Sequence, residues 1–287
     1  MKIGISLGMV RPSLWVALTR EADRCGYESV WIPEHLVLPV HATGSPHHGA
    51  DHPPIPPDIP VFDVFCYLGF LAGQTEQIHL GTQVYNIGLR HPFVVARAAA
   101  TADVLSGGRL ELGIGASWLR QEWEAVGLDF DTRGRRVDET IGLCRRLWTE
   151  EVIEHHGEIF DFGPVMFEPK PVRSPLPLHI GGDGPAALRR AATVGQGWIP
   201  MNHTLDQIPE RVAQLARLRQ EAGRSGTVEI TLGAGATDAD ALRRQADLGV
   251  ARALVKPWQR SREAIDAVRR FADEVLPLVR QHPVGAP

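Results

Sequence analysis

The chain has 287 residues, 44% hydrophobic and 22% charged, which is enough to bury a large core as one α/β barrel or as two domains of average size. With 30 basic against 34 acidic side chains and a net charge of −4, it presents no broad electropositive surface for nucleic acid or an anionic membrane. The 29 glycines and 22 prolines exceed the usual combined share of about 12% and fall short of the ~25–30% of disordered chains, so an ordered, loop-rich fold is expected.

The three cysteines, Cys25, Cys66 and Cys144, are odd in number and far apart, and each lies in an apolar helical pattern. They are expected to be reduced core residues of a cytoplasmic protein. No apolar run approaches the ~18 residues of a membrane span, and the opening MKIGISLGMVRP lacks the pattern of a signal peptide.

Strand-like runs alternate with helical patterns along the chain, as in βαβ units around a parallel sheet. Residues 2–7 read as the first strand, followed by a helix from Ser13, as N-cap, to Arg24, stopped by Gly26. Residues 29–32 form the second strand, ended by Pro33, and a Pro- and His-rich loop spans about 36–60. A helix follows over 61–75, then a strand over 78–85. The next helix covers 92–105, with Pro92 in its first turn and Ser106-Gly107-Gly108 after its end.

Residues 109–113 make the fourth strand, with helices near 118–126 and 134–149 and a small hairpin within 155–166. Four more strands are expected at 178–180, 197–199, 227–232 and 251–255. Eight β runs with no linker composition predict a single closed (β/α)8 barrel over 1–287, with an insertion region at about 128–175. An open doubly wound sheet would announce a Gly-rich turn after the first strand, and Gly4 and Gly8 do not make one.

Chemistry in a barrel sits at the carboxyl ends of the strands. After the second strand the chain reads Glu34-His35, an acid and an imidazole whose ordinary pKa near 6.5 suits proton transfer. Glu34 could orient His35 or cap local backbone. After the fourth strand, Gly113-Ile114-Gly115-Ala116 would let a flat ring approach the backbone, although a turn needing positive φ reads the same way. After the fifth, Gly181-Gly182-Asp183 feeds a helix amino terminus, a natural phosphate site, with Asp183 either capping that helix or turned away from the phosphate.

Five histidines, His35, His41, His47, His48 and His52, lie within eighteen residues, but no metal-ligand spacing joins them and no metal is expected. His155 and His156 are expected to be exposed. Glu122, Glu124 and Glu139 fall on helices and read as solvated or salt-bridged faces. No nucleophile elbow or Walker sequence occurs.

The run His91-Pro92, Ala98 through Leu110, and Gly113-Ile114-Gly115 resembles the luciferase-like monooxygenase superfamily. So do Trp118 with Glu122, Ala125 and Gly127, then Arg133-Gly134, Pro171 through Gly182, Ala191-Ala192 and Gly197-Trp198. The pattern Trp31-x-x-Glu34-His35 is similar to that of the branch using the deazaflavin coenzyme F420 instead of FMN. The resemblance implies a barrel with the cofactor ring at the carboxyl ends of the strands. It implies a bulge at Thr82-Gln83-Val84 behind that ring, with a non-prolyl cis peptide at Gln83–Val84, and a homodimer.

The sugar-phosphate dehydrogenases of that family carry an acid where this chain has Ala116, so sugar-phosphate oxidation is not carried over. The resulting expectation is hydride transfer between F420 and a small organic substrate, with His35 as proton donor or acceptor and Lys256 near the cofactor's phosphate or acidic tail. The 36–60 loop is expected to be a mobile lid. The alternatives are an FMN-dependent monooxygenase and a metal-dependent barrel hydrolase or isomerase built on the histidines of 35–52.

Overall fold

A computed structural model describes residues 1–46, 55–233 and 235–285. Its centre is a closed ring of eight parallel strands: β1 (Lys2–Ser6), β2 (Ser29–Ile32), β3 (His79–Thr82), β5 (Leu110–Gly115), β8 (Leu178–Gly181), β9 (Gly197–Ile199), β10 (Glu229–Leu232) and β11 (Val250–Val255). Pairing of β3 with β5 and of β11 with β1 closes the ring, so no parallel edge is left open. The two-residue strand β4 (Tyr85–Asn86) continues β3 beyond an interruption at Gln83-Val84 and pairs with the end of β5.

Around the ring lie α1 (Trp15–Arg24), α2 (Val64–Ala72), α3 (Pro92–Leu105), α4 (Arg120–Ala125), α5 (Arg133–Thr149), α6 (Pro185–Thr193), α7 (Ile208–Glu221), α8 (Ala239–Asp247), α9 (Ala264–Glu274) and α10 (Leu276–Val279). α5 packs against α3 as a regular barrel helix, so the addition to the barrel within 128–175 is the antiparallel hairpin β6 (Val152–His156) and β7 (Asp161–Met166).

Local chemistry sets these boundaries. α3 starts where predicted: His91 caps it, its Nδ1 accepting from the Phe93 amide at 3.2 Å, and Pro92 occupies the first turn. α2 begins three residues later than the apolar run suggests, because Asp63 caps it by accepting from the Cys66 amide. Ser13 does not cap α1. It sits inside a 3-10 turn, Pro12–Leu14, that leads into the helix. Among the cysteines only Cys144 is fully buried; Cys25 is half-buried and Cys66 exposed, which corrects the expectation that all three are core residues.

The barrel interior is not uniformly apolar. Near the mouth, Trp31, Ile199 and Leu254 form a separate apolar cluster on which Val84 rests. Below it the side chain of Arg252 is fully buried, paired with Glu28 at 2.7 Å and lying over the Trp31 ring. His155 of the hairpin bonds Glu139 at 2.9 Å and is only partly exposed, whereas His156 is exposed and pairs with Asp161. The described parts of the 36–60 loop contain neither helix nor strand, and His47, His48 and His52 lie outside the described residues.

Candidate active site at the barrel mouth

β2 delivers Glu34 and His35 to the mouth, but the two side chains go different ways. The His35 ring presents Nδ1 to Glu122 Oε2 at 3.3 Å, and the Trp118 indole stands edge-on to it with centroids 5.8 Å apart. Glu122, in the first turn of α4, is completely buried. Four donors converge on its carboxylate: His35 Nδ1, the Leu36 amide at 2.6 Å, Asn86 Nδ2 at 3.3 Å and the Ser117 hydroxyl at 3.2 Å. Ser117 has φ of 62°, the one non-glycine residue with positive φ among the described residues; this turn aims its hydroxyl at Glu122 while the same oxygen accepts from the Leu119 amide.

Glu34 makes no contact with His35. Its carboxylate accepts from the Asn86 amide at 2.9 Å and from Arg90 at 2.6 Å, and Arg90 stacks over the Tyr85 ring. Burial pushes the Glu34 carboxyl up, against the pull of Arg90 and the Asn86 amide and with the help of the nearby Glu122 charge. Neither role offered for Glu34 is the one seen: its carboxylate holds the Asn86 amide, remote in sequence, and Arg90, and Glu122 stands against the imidazole. The reading of Glu122 as a solvated helix face is corrected: α4 has only six residues, too few for periodicity to reveal a buried face, and the available signal was its apolar neighbours Leu119 and Trp123.

The predicted cis peptide is present at Gln83–Val84. The glycines around it lie close against it. A Cβ on Gly113 would strike the Thr82 carbonyl, and one on Gly115 or Gly181 would come within 2.8 or 2.9 Å of the Val84 methyls. They make room for the bulge, and Val84 rests on the Trp31, Ile199 and Leu254 cluster. Thr82 is buried with its hydroxyl donating to the Gly113 carbonyl at 2.6 Å, and Ile114 belongs to the main core, so neither side chain is offered to the mouth. Ala116 is half-buried and packs on the same core.

Gly182, at φ of 114°, turns the chain into α6, whose N-cap is Gly184. Asp183 does not cap this helix. Its carboxylate accepts from the amides of Met201 and Asn202, from Asn202 Nδ2 and from His203, clamping the loop after β9. These partners hold its carboxyl below the ordinary range although burial opposes them. The side chain is thus turned away from the helix amino terminus, as a phosphate there requires. Lys256 follows β11, half-buried, and neither it nor the Gln83 side chain has a polar partner among the described residues.

A cavity of about 400 Å³ opens between the loop and the start of α4, lined by Leu38, Pro39, Val40, His41, Trp118 and Leu119 among others. The loop is tied down on two sides, by Gln121 Nε2 donating to Thr43 Oγ1 at 2.6 Å and Asn202 Nδ2 donating to the Pro46 carbonyl at 2.8 Å. Among the described residues no group of three or more His, Cys, Asp or Glu side chains is placed to hold a metal ion, and no helix is long and apolar enough to cross a membrane.

A barrel with this bulge and rim matches the luciferase-like monooxygenase family model over residues 9–255, and the chain belongs to that family. It is 32% identical over 183 residues to the F420-dependent glucose-6-phosphate dehydrogenase of Kineococcus radiotolerans, covering 62% of this chain and 49% of that one. Among solved structures, a monooxygenase of Streptomyces bottropensis superposes with a TM-score of 0.75 at 22% identity, over 96% of this chain and 99% of that one. The coenzyme F420-dependent tetrahydromethanopterin reductase of Methanopyrus kandleri gives 0.74 at 17% identity, over 96% and 98%. The two structural likenesses establish the fold.

Proposed function

We propose that the protein is an oxidoreductase that moves a hydride between coenzyme F420 and a small, uncharged organic substrate, with His35 as the proton partner. The observation that carries this reading is the imidazole just past the carboxyl end of β2, fixed through Nδ1 by a buried carboxylate, on the strand that neighbours the one leading into the bulge at Gln83-Val84. The dehydrogenase relative supports the choice of F420.

The residues at the rim suit that coenzyme. Val84 offers an apolar shelf, Gly182 and Gly184 open the amino terminus of α6 to a phosphate, and Lys256, without a polar partner among the described residues, supplies a cation for an anionic tail. F420 bound there would supply a deazaflavin ring able to give or take a hydride. The chain's own part is to hold ring and substrate together and to move one proton: His35 Nε2 takes the hydroxyl proton of an alcohol or returns one to a reduced carbonyl oxygen. Among the described residues no lysine or arginine lines the neighbouring cavity, which supports a substrate without phosphate.

Titration of the purified protein with F420 and with FMN, followed by fluorescence, tests the cofactor. Saturable F420 binding with weak or no FMN binding is expected, and tight FMN binding without F420 binding refutes the proposal in favour of a flavin monooxygenase. An activity-linked metal ion that survives chelation would instead favour a hydrolase or isomerase. A screen of alcohols and carbonyl compounds for F420 reduction or oxidation, repeated with His35→Ala, then tests the reaction, and loss of roughly 100- to 10,000-fold in kcat is expected for the variant.

A further inference from the structure

We infer that Glu122 is the positioning residue of the site: it fixes the tautomer of His35 and ties that imidazole to the root of the loop covering the mouth. The inference rests on the proposed role of His35 as proton partner, and adds a residue that the sequence pattern assigns to a surface.

A completely buried carboxylate needs donors, and this one has four. All four groups give hydrogens and the carboxylate accepts each, so the proton of neutral His35 sits on Nδ1 and Nε2 keeps its lone pair. A proton acceptor in that form is what removal of a hydroxyl proton requires.

The division of labour between the two oxygens gives Glu122 a second task. Oε2 takes His35, Asn86 and Ser117, while Oε1 takes the amide of Leu36, where the loop leaves the barrel. One rigid group therefore sets both the ring's orientation and the path of the first loop residue, and the Trp118 indole closes the other flank of the ring. The elements that hold Glu122 in turn are short and specific: the left-handed turn at Ser117 and the two-residue strand at Asn86. A helix surface carboxylate would have none of these ties.

The test has two independent readouts. In nitrogen-15-edited spectra, with His35 assigned by loss of its signals in His35→Gln, the wild-type ring is expected as a single Nδ1–H tautomer at neutral pH. Glu122→Gln, whose amide can donate as well as accept, is expected to give a mixture or the Nε2–H form. In turnover, Glu122→Gln is expected to lower kcat about 10- to 100-fold with KM changed less than about threefold. Adding Glu122→Gln to His35→Ala should cost no further activity, because a residue that acts through His35 has nothing left to position.

An unchanged tautomer in Glu122→Gln, or losses that multiply in the double variant, overturns the inference. Should Glu122→Gln not fold, Glu122→Asp keeps the charge but withdraws it by one methylene, and the same two outcomes decide. The spectra require no cofactor, so they separate failure of this inference from failure of the F420 reading.

Discussion

In the barrel wall, Nε2 of His179 lies 2.6 Å from Oε2 of Glu111, whose other oxygen takes His79 at 2.8 Å and Arg173 at 3.0 Å. Burial alone would raise the Glu111 carboxyl; the two imidazoles and the nearby Arg252 charge overcome it and hold the group well below its ordinary range. A carboxyl depressed in the folded state contributes stability that is present above its unfolded pKa, near 4.3, and lost as pH falls below that value. Glu111→Gln is expected to cost about 3 kcal/mol at pH 7, since it removes the buried carboxylate that holds His179, His79 and Arg173 together. Urea unfolding of both proteins should show that gap narrowing as pH drops from about 5 to 3, and a gap independent of pH would contradict the assignment.

Gly115 and the bulge are expected to be coupled. Gly115→Ala puts a methyl 2.8 Å from Val84 Cγ2, so the bulge must shift, and cofactor affinity should fall by at least about tenfold while the circular dichroism of the barrel persists. Adding Val84→Ala removes the methyl that is struck and should recover part of the affinity. Gly113→Ala meets a backbone carbonyl in place of a movable side chain, and no such rescue is expected for it.

The cysteines should react in the order of their exposure. Native protein treated with a maleimide and weighed by mass spectrometry is expected to gain one adduct quickly at Cys66, a second slowly at Cys25 and none at Cys144 until urea is added, because burial pushes the Cys144 thiol far up. Rapid labelling at Cys144 would show that α5 is not packed as described.

Lys256→Ala should weaken binding of an anionic coenzyme by roughly 5- to 20-fold in low salt and by less at about 0.5 M salt, where charges outside the core are screened. Isothermal titration at two salt concentrations measures this. Equal affinity at both, in both proteins, would place the anionic tail elsewhere.

Much of the barrel was readable from one dimension. The limits of β2 and α3 follow from Pro33 and from the His91-Pro92 start with its Ser-Gly-Gly stop, all short-range chemistry. His35 could be found because a strand's carboxyl end defines the place to look. The role of Glu122 was harder to see: its apolar neighbours hint at burial, but its partners Asn86 and Leu36 are remote in sequence and converge only once the barrel closes. The glycines could be read only in part for a related reason: an absent side chain shows that something approaches but not what, and here the Thr82 carbonyl meets Gly113 and the Val84 side chain meets Gly115 and Gly181.

Asn86 stands between two buried anions, its backbone amide donating to Glu34 and its side-chain amide to Glu122. It bridges them without charge, so hydrolysis of its side-chain amide would set a third carboxylate between two buried ones. Deamidation at Asn86, a mass change of one unit, would therefore disturb the seats of both acids at once.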